Sequence, residues 1–282
     1  MKNKLIFEFS KNKSDGDSSL DDLLGGKGAN LAEMSNMGIP VPPGFTITTE
    51  VCNYFTENKK LPDNLDNEIK KAVNNLESIS DKRFGGAGTP LLLSVRSGAK
   101  VSMPGMMDSV LNIGLNDSNV SQLAKAFNDE RFALDSYRRL IQMYSNVVLG
   151  VEHERFEAVL ANKKRMDNID SDADFNVDQL NWIINAFKNT VERFTDSLFP
   201  QEPYEQLTGA IEAVFNSWQN KRAITYRKIN NIPDTWGTGA TIQTMVFGNL
   251  NDKSGTGVAF TRNPSNGDKE LYGEYLINAQ GE

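Results

Sequence analysis

The sequence predicts an α+β fold, with strands and helices occupying separate stretches of the chain. Near the start, Leu5–Phe9 is a short strand candidate, and Phe45–Thr48 alternates with the two-residue period of a strand. A long middle block, from Ser118 to about Leu198, carries apolar residues at helical spacing almost throughout. From Ala240 onwards the strand period returns. At 282 residues the chain is long enough for one large domain or two small ones, with a substantial buried core. The order of segments suggests an α/β lobe, a helical insertion, a return to the first lobe and the start of a second, β-rich lobe.

The elements follow in order. Leu5–Phe9 opens as a strand, and the polar stretch Lys11–Ser19 is expected to be a loop. Lys27–Met37 is predicted as a helix because Ala29, Ala32 and the Leu31/Met34 pair fall at helical spacing; Gly38 and Pro40 stop it. After the strand at Phe45–Thr48, Thr48 or Thr49 can cap a helix carrying Val51, Tyr54 and Phe55. Leu65, Ile69, Ala72, Val73, Leu76 and Ile79 mark an amphipathic helix. Leu91–Val95 is a β-type run that ends on Arg96.

In the middle block, Phe132, Tyr137, Leu140, Ile141, Tyr144 and Val148 mark a long helix stopping near Gly150. Phe156, Val159 and Leu160 mark a second helix, and Leu180, Ile183, Ile184, Phe187, Val191, Phe194 and Leu198 a third. The acidic, polar stretch Asn162–Asn176 between them reads as a mobile loop. Pro200 and Pro203 end the block, and the apolar residues from Tyr204 to Trp218 restart a helix that runs to Ile229. Ala240–Phe247 and Gly257–Arg262 are predicted as strands joined by Gly248–Thr256, with Leu271–Ala279 as a third.

Composition narrows the function classes. A net charge of −7 argues against a broad polyanion-binding face, so nucleic acid is not an expected partner, although a local cationic pocket is allowed. Apolar runs are too short for a membrane span, and Met1–Lys4 has no signal-peptide core. With one cysteine, Cys52, no intrachain disulfide can form; a buried thiol in a reducing cytoplasm is expected. The single histidine, His153, lies among Glu152, Glu154 and Arg155 and reads as a solvated helix residue, which argues against a histidine-based metal site.

Three segments carry chemistry. Arg96 ends an apolar strand, and its planar fork of donors matches phosphate oxygens. Gly25-Gly26-Lys27-Gly28 sits where a helix begins; helix starts attract anions and glycines allow close backbone approach. Its spacing is not that of a P-loop, and on spacing alone it is a plain turn. Ser254-Gly255-Thr256-Gly257 can present successive N–H groups to phosphate or form an ordinary hairpin turn.

Five strings in fixed order give a specific resemblance. They are Leu24–Met34, Gly38–Phe45, Ser94-Val95-Arg96-Ser97-Gly98-Ala99 with Ser102-Met103-Pro104-Gly105-Met106-Met107-Asp108, Asp135–Tyr144, and Ser254–Pro264 followed by Gly273–Glu282. Together they resemble the N-terminal nucleotide-binding domain of the pyruvate phosphate dikinase family, an ATP-grasp module. Phosphoenolpyruvate synthase has a related domain, but the Met-Pro-Gly-Met-Met-Asp string is similar to the dikinases.

The resemblance implies an ATP-grasp-like, two-lobed α+β domain with a helical insertion: residues 1–117 with 201–247 as the first lobe, 118–200 as the insertion and 248–282 as the start of the second lobe. It implies ATP and Mg2+ as cofactors, with nucleotide held between the lobes. Lys27 and Arg96 would act on the phosphates. Gly105, Met107, Gln243, Met245, Ser254, Gly255, Thr256, Gly257, Glu274 and Glu282 would line the nucleotide site. Without the resemblance, Met245 is simply core. Lys100 stands where many relatives have arginine, which keeps the charge and loses the fork. No metal ligand is assigned.

The implied reaction transfers the pyrophosphoryl group of ATP to a histidine on a separate swivelling domain, then the γ-phosphoryl to phosphate. Its implied partners are the phosphohistidine and pyruvate-binding domains of a cytoplasmic homodimer. Alternatives are a phosphoenolpyruvate synthase or related dikinase, or, for the isolated chain, a non-catalytic nucleotide- or partner-binding module. The isolated chain is expected to bind ATP weakly and to be inactive.

Overall fold

The computed structural model describes residues 4–11 and 13–281, so the expectations for Met1–Asn3, Asn12 and Glu282 lie outside the described residues. It forms two compact units, Met1–Met245 and Val246–Glu282.

The first unit is organised around a sheet of strands β1 (Ile6–Ser10), β2 (Lys13–Ser14), β3 (Gly44–Ile47), β4 (Leu93–Gly98), β5 (Ser109–Ile113) and β6 (Gly239–Thr244). Their order is β2-β1-β3-β6-β4-β5, and every pairing is antiparallel. Residues opposite one another in an antiparallel pair share a face. The row Thr46–Thr241–Arg96–Ser109 is therefore polar, while the next row, Phe45–Ile242–Val95–Val110, is apolar and buried.

The two faces of this sheet take different helices. Helix α1 (Asp21–Asn36) covers the polar face: a Cβ placed on Gly28 would lie 2.8 Å from Thr46 Oγ1. The apolar side is built with α2 (Thr49–Asn58), α3 (Leu65–Ser80) and α8 (Pro203–Ser217). Leu207, Ile211, Val214 and Phe215 of α8 are fully buried, and Phe55 of α2 meets Phe215 with ring centroids 6.0 Å apart. Burying side chains of this size contributes ~1.5–3 kcal/mol each.

Helices α4 (Val120–Phe127), α5 (Glu130–Val147), α6 (His153–Asp167) and α7 (Val177–Thr195) form the helical block. Helix α5 lies against β5, where Asn112 Nδ2 donates to Ser136 O at 3.1 Å. Gln206, fully buried on α8, accepts from Gly114 N and donates to Leu115 O and Pro200 O, each at 2.9 Å. Helix α9 (Lys221–Ile229) closes the unit before β6.

Several expectations are corrected. Helix α1 begins at Asp21, and Gly25, at φ 67° and ψ 163°, breaks it just before Lys27. Lys11–Ser19 contains β2 rather than a continuous loop. Thr48 is the N-cap of α2 but makes no side-chain cap bond, and Thr49, the first helical residue, donates from Oγ1 to Asp22 O at 2.8 Å. Asn162–Asn176 is largely ordered, because α6 runs to Asp167 and Arg131 binds the carbonyls of Asp172, Ala173 and Phe175. The helix expected from Tyr204 to Ile229 is two, separated by a turn at Trp218–Asn220. Strand β5 is an element that the sequence pattern does not mark.

The second unit is a hairpin of β7 (Gly255–Phe260) and β8 (Tyr272–Ile277). Nearly all its strand residues are exposed, including Val258, Tyr275, Leu276 and Ile277.

Candidate functional site

The polar face of the first unit gathers four of the twelve residues proposed for nucleotide contact: Lys27, Arg96, Gln243 and Met245. Strand alternation places Ser94, Arg96 and Gly98 on it from β4, and Gly239, Thr241 and Gln243 from β6. Thr46 joins from β3, its hydroxyl 3.3 Å from that of Thr241. Gln243 is held in place: its Nε2 donates to Pro42 O at 2.9 Å. Met245, just past the strand, is buried, and its N–H donates to Leu92 O at 2.9 Å.

Lys27 enters this face at the end of β4. A Cβ on Gly98 would lie 3.2 Å from Lys27 Cβ, and one on Gly25 would overlap Gly98 O at 1.6 Å. Helix and strand can meet this closely only because both positions lack side chains. Gly26 N donates to Ala99 O at 2.9 Å, so this N–H is already used within the fold, and Gly28 serves packing against Thr46. Within Gly25-Gly26-Lys27-Gly28, the lysine side chain is thus the feature suited to an anion. On the far side of the turn, Lys100 Nζ lies 2.7 Å from Asp22 Oδ1, 3.6 Å from Asp21 Oδ1 and 5.5 Å from the centre of the Trp236 ring. The hydrogen bond to Asp22 raises the Lys100 ammonium above its ordinary value.

At ~3.3 Å rise per strand residue, Gln243 lies about 13 Å along β6 from Gly239, which is opposite Gly98 and the approach of Lys27. Thr241, opposite Arg96, is midway. One face thus runs from an anchored amide beside a methionine, through hydroxyls and a guanidinium, to a lysine. A flat polar base at one end and phosphates at the other match that sequence of groups.

The other predicted residues are more dispersed. In the Ser102–Asp108 segment Met103 is buried, Met107 is half-buried, and Gly105 (φ 70°) is exposed, with no atom within 4 Å of where a Cβ would stand. Asp108 is held by Arg222 and by Asn220 Nδ2 at 3.1 Å; Arg222 Nε also donates to Met106 O at 3.1 Å. Met106 and Asp108 line an open groove of about 1040 Å³ between α5, α8 and α9, whose lining includes neither Lys27 nor Arg96.

In the second unit, Gly255, Thr256 and Gly257 belong to β7 and not to the connecting loop, which ends at Ser254. A paired strand directs successive N–H groups to opposite edges, so this segment does not offer the run of N–H groups expected of a phosphate loop. Glu274 is exposed on β8, and Glu282 lies outside the described residues. Cys52 is buried and its thiol is pushed up to about 11 by burial; His153 is an exposed residue of α6, 3.3 Å from Glu157.

The polar row Thr46–Thr241 with Ser94 is not among the residues read from sequence. The alternation in Gly239-Ala240-Thr241-Ile242-Gln243-Thr244 is the signal that points to it.

Comparison with known proteins gives the family. The family model described as "Pyruvate phosphate dikinase, AMP/ATP-binding domain" matches residues 21–84 and 58–282. The chain is 53% identical over 280 residues to the pyruvate, phosphate dikinase of Rickettsia conorii, covering 99% of this chain and 32% of that protein. Identity is 52% to the Rhizobium meliloti protein and 51% to that of Clostridium symbiosum, both also pyruvate, phosphate dikinases, with 99% of this chain and 31% and 32% of theirs covered. The chain thus spans about a third of the length of these curated relatives. Matched along nearly its whole length by this family model and by these relatives, the chain belongs to the pyruvate phosphate dikinase AMP/ATP-binding domain family.

Proposed function

We propose that this chain forms the ATP site of a pyruvate phosphate dikinase of ATP-grasp type. The full enzyme would convert ATP, phosphate and pyruvate to AMP, pyrophosphate and phosphoenolpyruvate. A histidine on a separate swivelling domain attacks the β-phosphorus of ATP and AMP leaves; phosphate then takes the γ-phosphoryl group, leaving phosphohistidine. Lys27 and Arg96 bind the phosphates, and their cations stabilise the charge that develops on the transferring group. Gln243 and Met245 take the adenine, with Gly105 and Met107 covering the nucleotide. Ser254–Gly257 and the acidic residues Glu274 and Glu282 are secondary contributors.

In this scheme residues 1–117 with 201–247 form the first lobe, 118–200 a helical insertion that makes little nucleotide contact, and 248–282 the opening of the second lobe. A homodimer in the cytoplasm is the expected setting. No helix among the described residues is long and apolar enough to cross a membrane. Mg2+ would accompany ATP. Among the described residues no group of three or more His, Cys, Asp or Glu is placed to hold a metal, so no protein ligand and no step is assigned to it.

The observation that carries this proposal is the convergence of Lys27 and Arg96 on one sheet face through the Gly25–Gly98 contact. The test is Arg96→Ala in a full-length dikinase carrying this sequence. Phosphoenzyme formation from ATP should fall by about 10³ or more, with the circular dichroism spectrum unchanged. Near-normal phosphoenzyme formation would overturn the assignment.

A further inference from the structure

Two carboxylates stand in the first turn of α1, directly before the Gly25–Lys27 turn: Asp21 and Asp22. Acidic side chains there oppose an incoming polyphosphate. Lys100 is their partner, reaching both from the segment that follows β4. The same segment grips the turn through its backbone. Ala99 O accepts from Gly26 N, and a Cβ on Gly26 would lie 3.1 Å from Lys100 O. Trp236 flanks the ammonium on a third side, and Gly98 N donates to Thr238 Oγ1 at 3.0 Å.

We propose that Lys100 is a positioning residue for the phosphate end of the site. It neutralises one of the two aspartate charges and clasps the start of α1 to the end of β4. The Gly25–Lys27 turn then stays in register and electrostatically open to a triphosphate. The proposal rests on the ATP-site function above, but it assigns Lys100 no contact with nucleotide. Lys100, Asp21 and Asp22 together carry a net charge of −1. Lys100→Ala makes it −2, and Lys100→Ala with Asp22→Asn returns it to −1.

The test is steady-state kinetics of a full-length dikinase carrying this sequence. Lys100→Ala should raise KM for ATP about three- to tenfold, the scale of one partly screened charge acting on a polyphosphate, with kcat changed less. The increase should be smaller for AMP in the reverse direction, because AMP carries less charge. Raising the ionic strength should narrow the gap from the parent enzyme. Asp22→Asn added to Lys100→Ala should restore most of the ATP KM, and Lys100→Arg should be near normal.

An unchanged KM in Lys100→Ala, an equal defect for AMP and ATP, or no recovery in the double variant would each overturn the role. If Lys100→Ala fails to fold, Lys100→Gln with and without Asp22→Asn provides the same charge comparison. Arg96→Ala is run in parallel. Loss of activity there without charge rescue at Lys100 removes only the Lys100 role, whereas an active Arg96→Ala removes the ATP-site assignment beneath it.

Discussion

Gly25→Ala tests the junction on which the site depends. Gly25 occupies φ 67° and ψ 163°, a region essentially restricted to glycine, where another residue costs ~1–3 kcal/mol. The added Cβ would also meet a backbone carbonyl, Gly98 O, at 1.6 Å. No side-chain rotation relieves that overlap, so α1 must move off the end of β4. The Gly26–Ala99 hydrogen bond then lengthens or breaks, at ~1 kcal/mol. Together these give about 2–4 kcal/mol, or a fall in Tm of roughly 4–16 °C for a unit of this size. Gly105→Ala is the control. It also has positive φ, at 70°, but a Cβ there has nothing within 4 Å, so only the conformational cost of ~1–2 kcal/mol applies. Thermal unfolding followed by circular dichroism should separate the two variants clearly. If Gly25→Ala melts within about 2 °C of Gly105→Ala, the contact is not the constraint described here.

The helical block and Cys52 give two further expectations. Burial pushes the Asp135 carboxyl up, but the Arg138 and Arg139 guanidiniums outweigh it and hold the group below its ordinary value of 3.8. Its stabilisation is therefore complete above that value and is lost as pH falls through the lower folded value. Asp135→Asn should cost about 3–5 kcal/mol at pH 7, because it leaves the buried Arg138 without its closest carboxylate, and urea unfolding should show a weaker acid-side loss of stability than in the parent. Cys52, buried with its thiol raised to about 11, should resist alkylation by iodoacetamide at pH 8 in the folded chain and react on unfolding in urea; rapid labelling without denaturant would contradict its burial.

The parts legible in the sequence are those where local period and tertiary burial agree. Helices α3, α5 and α7 are visible because their apolar residues recur on one face, and β4 because an apolar run precedes Arg96. The misses have separate physical causes. Strand β5 contains a buried Asn112 at φ 61° beside a register shift, which breaks the alternation that marks a strand. The end of α6 carries little apolar patterning and is held instead by Lys163–Asp167 and Lys164–Asp172 ion pairs. The apolar stripe of α7 continues past its buried face: Phe194 is exposed and lies against the Arg155 and Arg193 guanidiniums. Arg96 and Lys27 are legible as residues, but their shared face depends on β6 entering between β3 and β4, a pairing across more than a hundred residues that no local pattern reveals.

The glycines show most clearly how the chemistry of the site differs from its motif. As a string, Gly25-Gly26-Lys27-Gly28 suggests a backbone cradle in which the N–H groups do the binding. In the fold, Gly25 passes beneath Gly98 O, Gly26 gives its N–H to Ala99, and Gly28 rests on Thr46. These three positions are consumed in bringing helix to sheet. What they bring there is Lys27, at the edge of a face whose next polar row carries Arg96. In the proposed site, Lys27 and Arg96 would meet the phosphates as two cations that these packing glycines bring to one sheet face. Two fixed cations orient a polyphosphate with less reorganisation than a mobile loop. On the proposed site, replacing Lys27 should weaken nucleotide binding, whereas replacing Gly25 or Gly28 should lower nucleotide binding and Tm together.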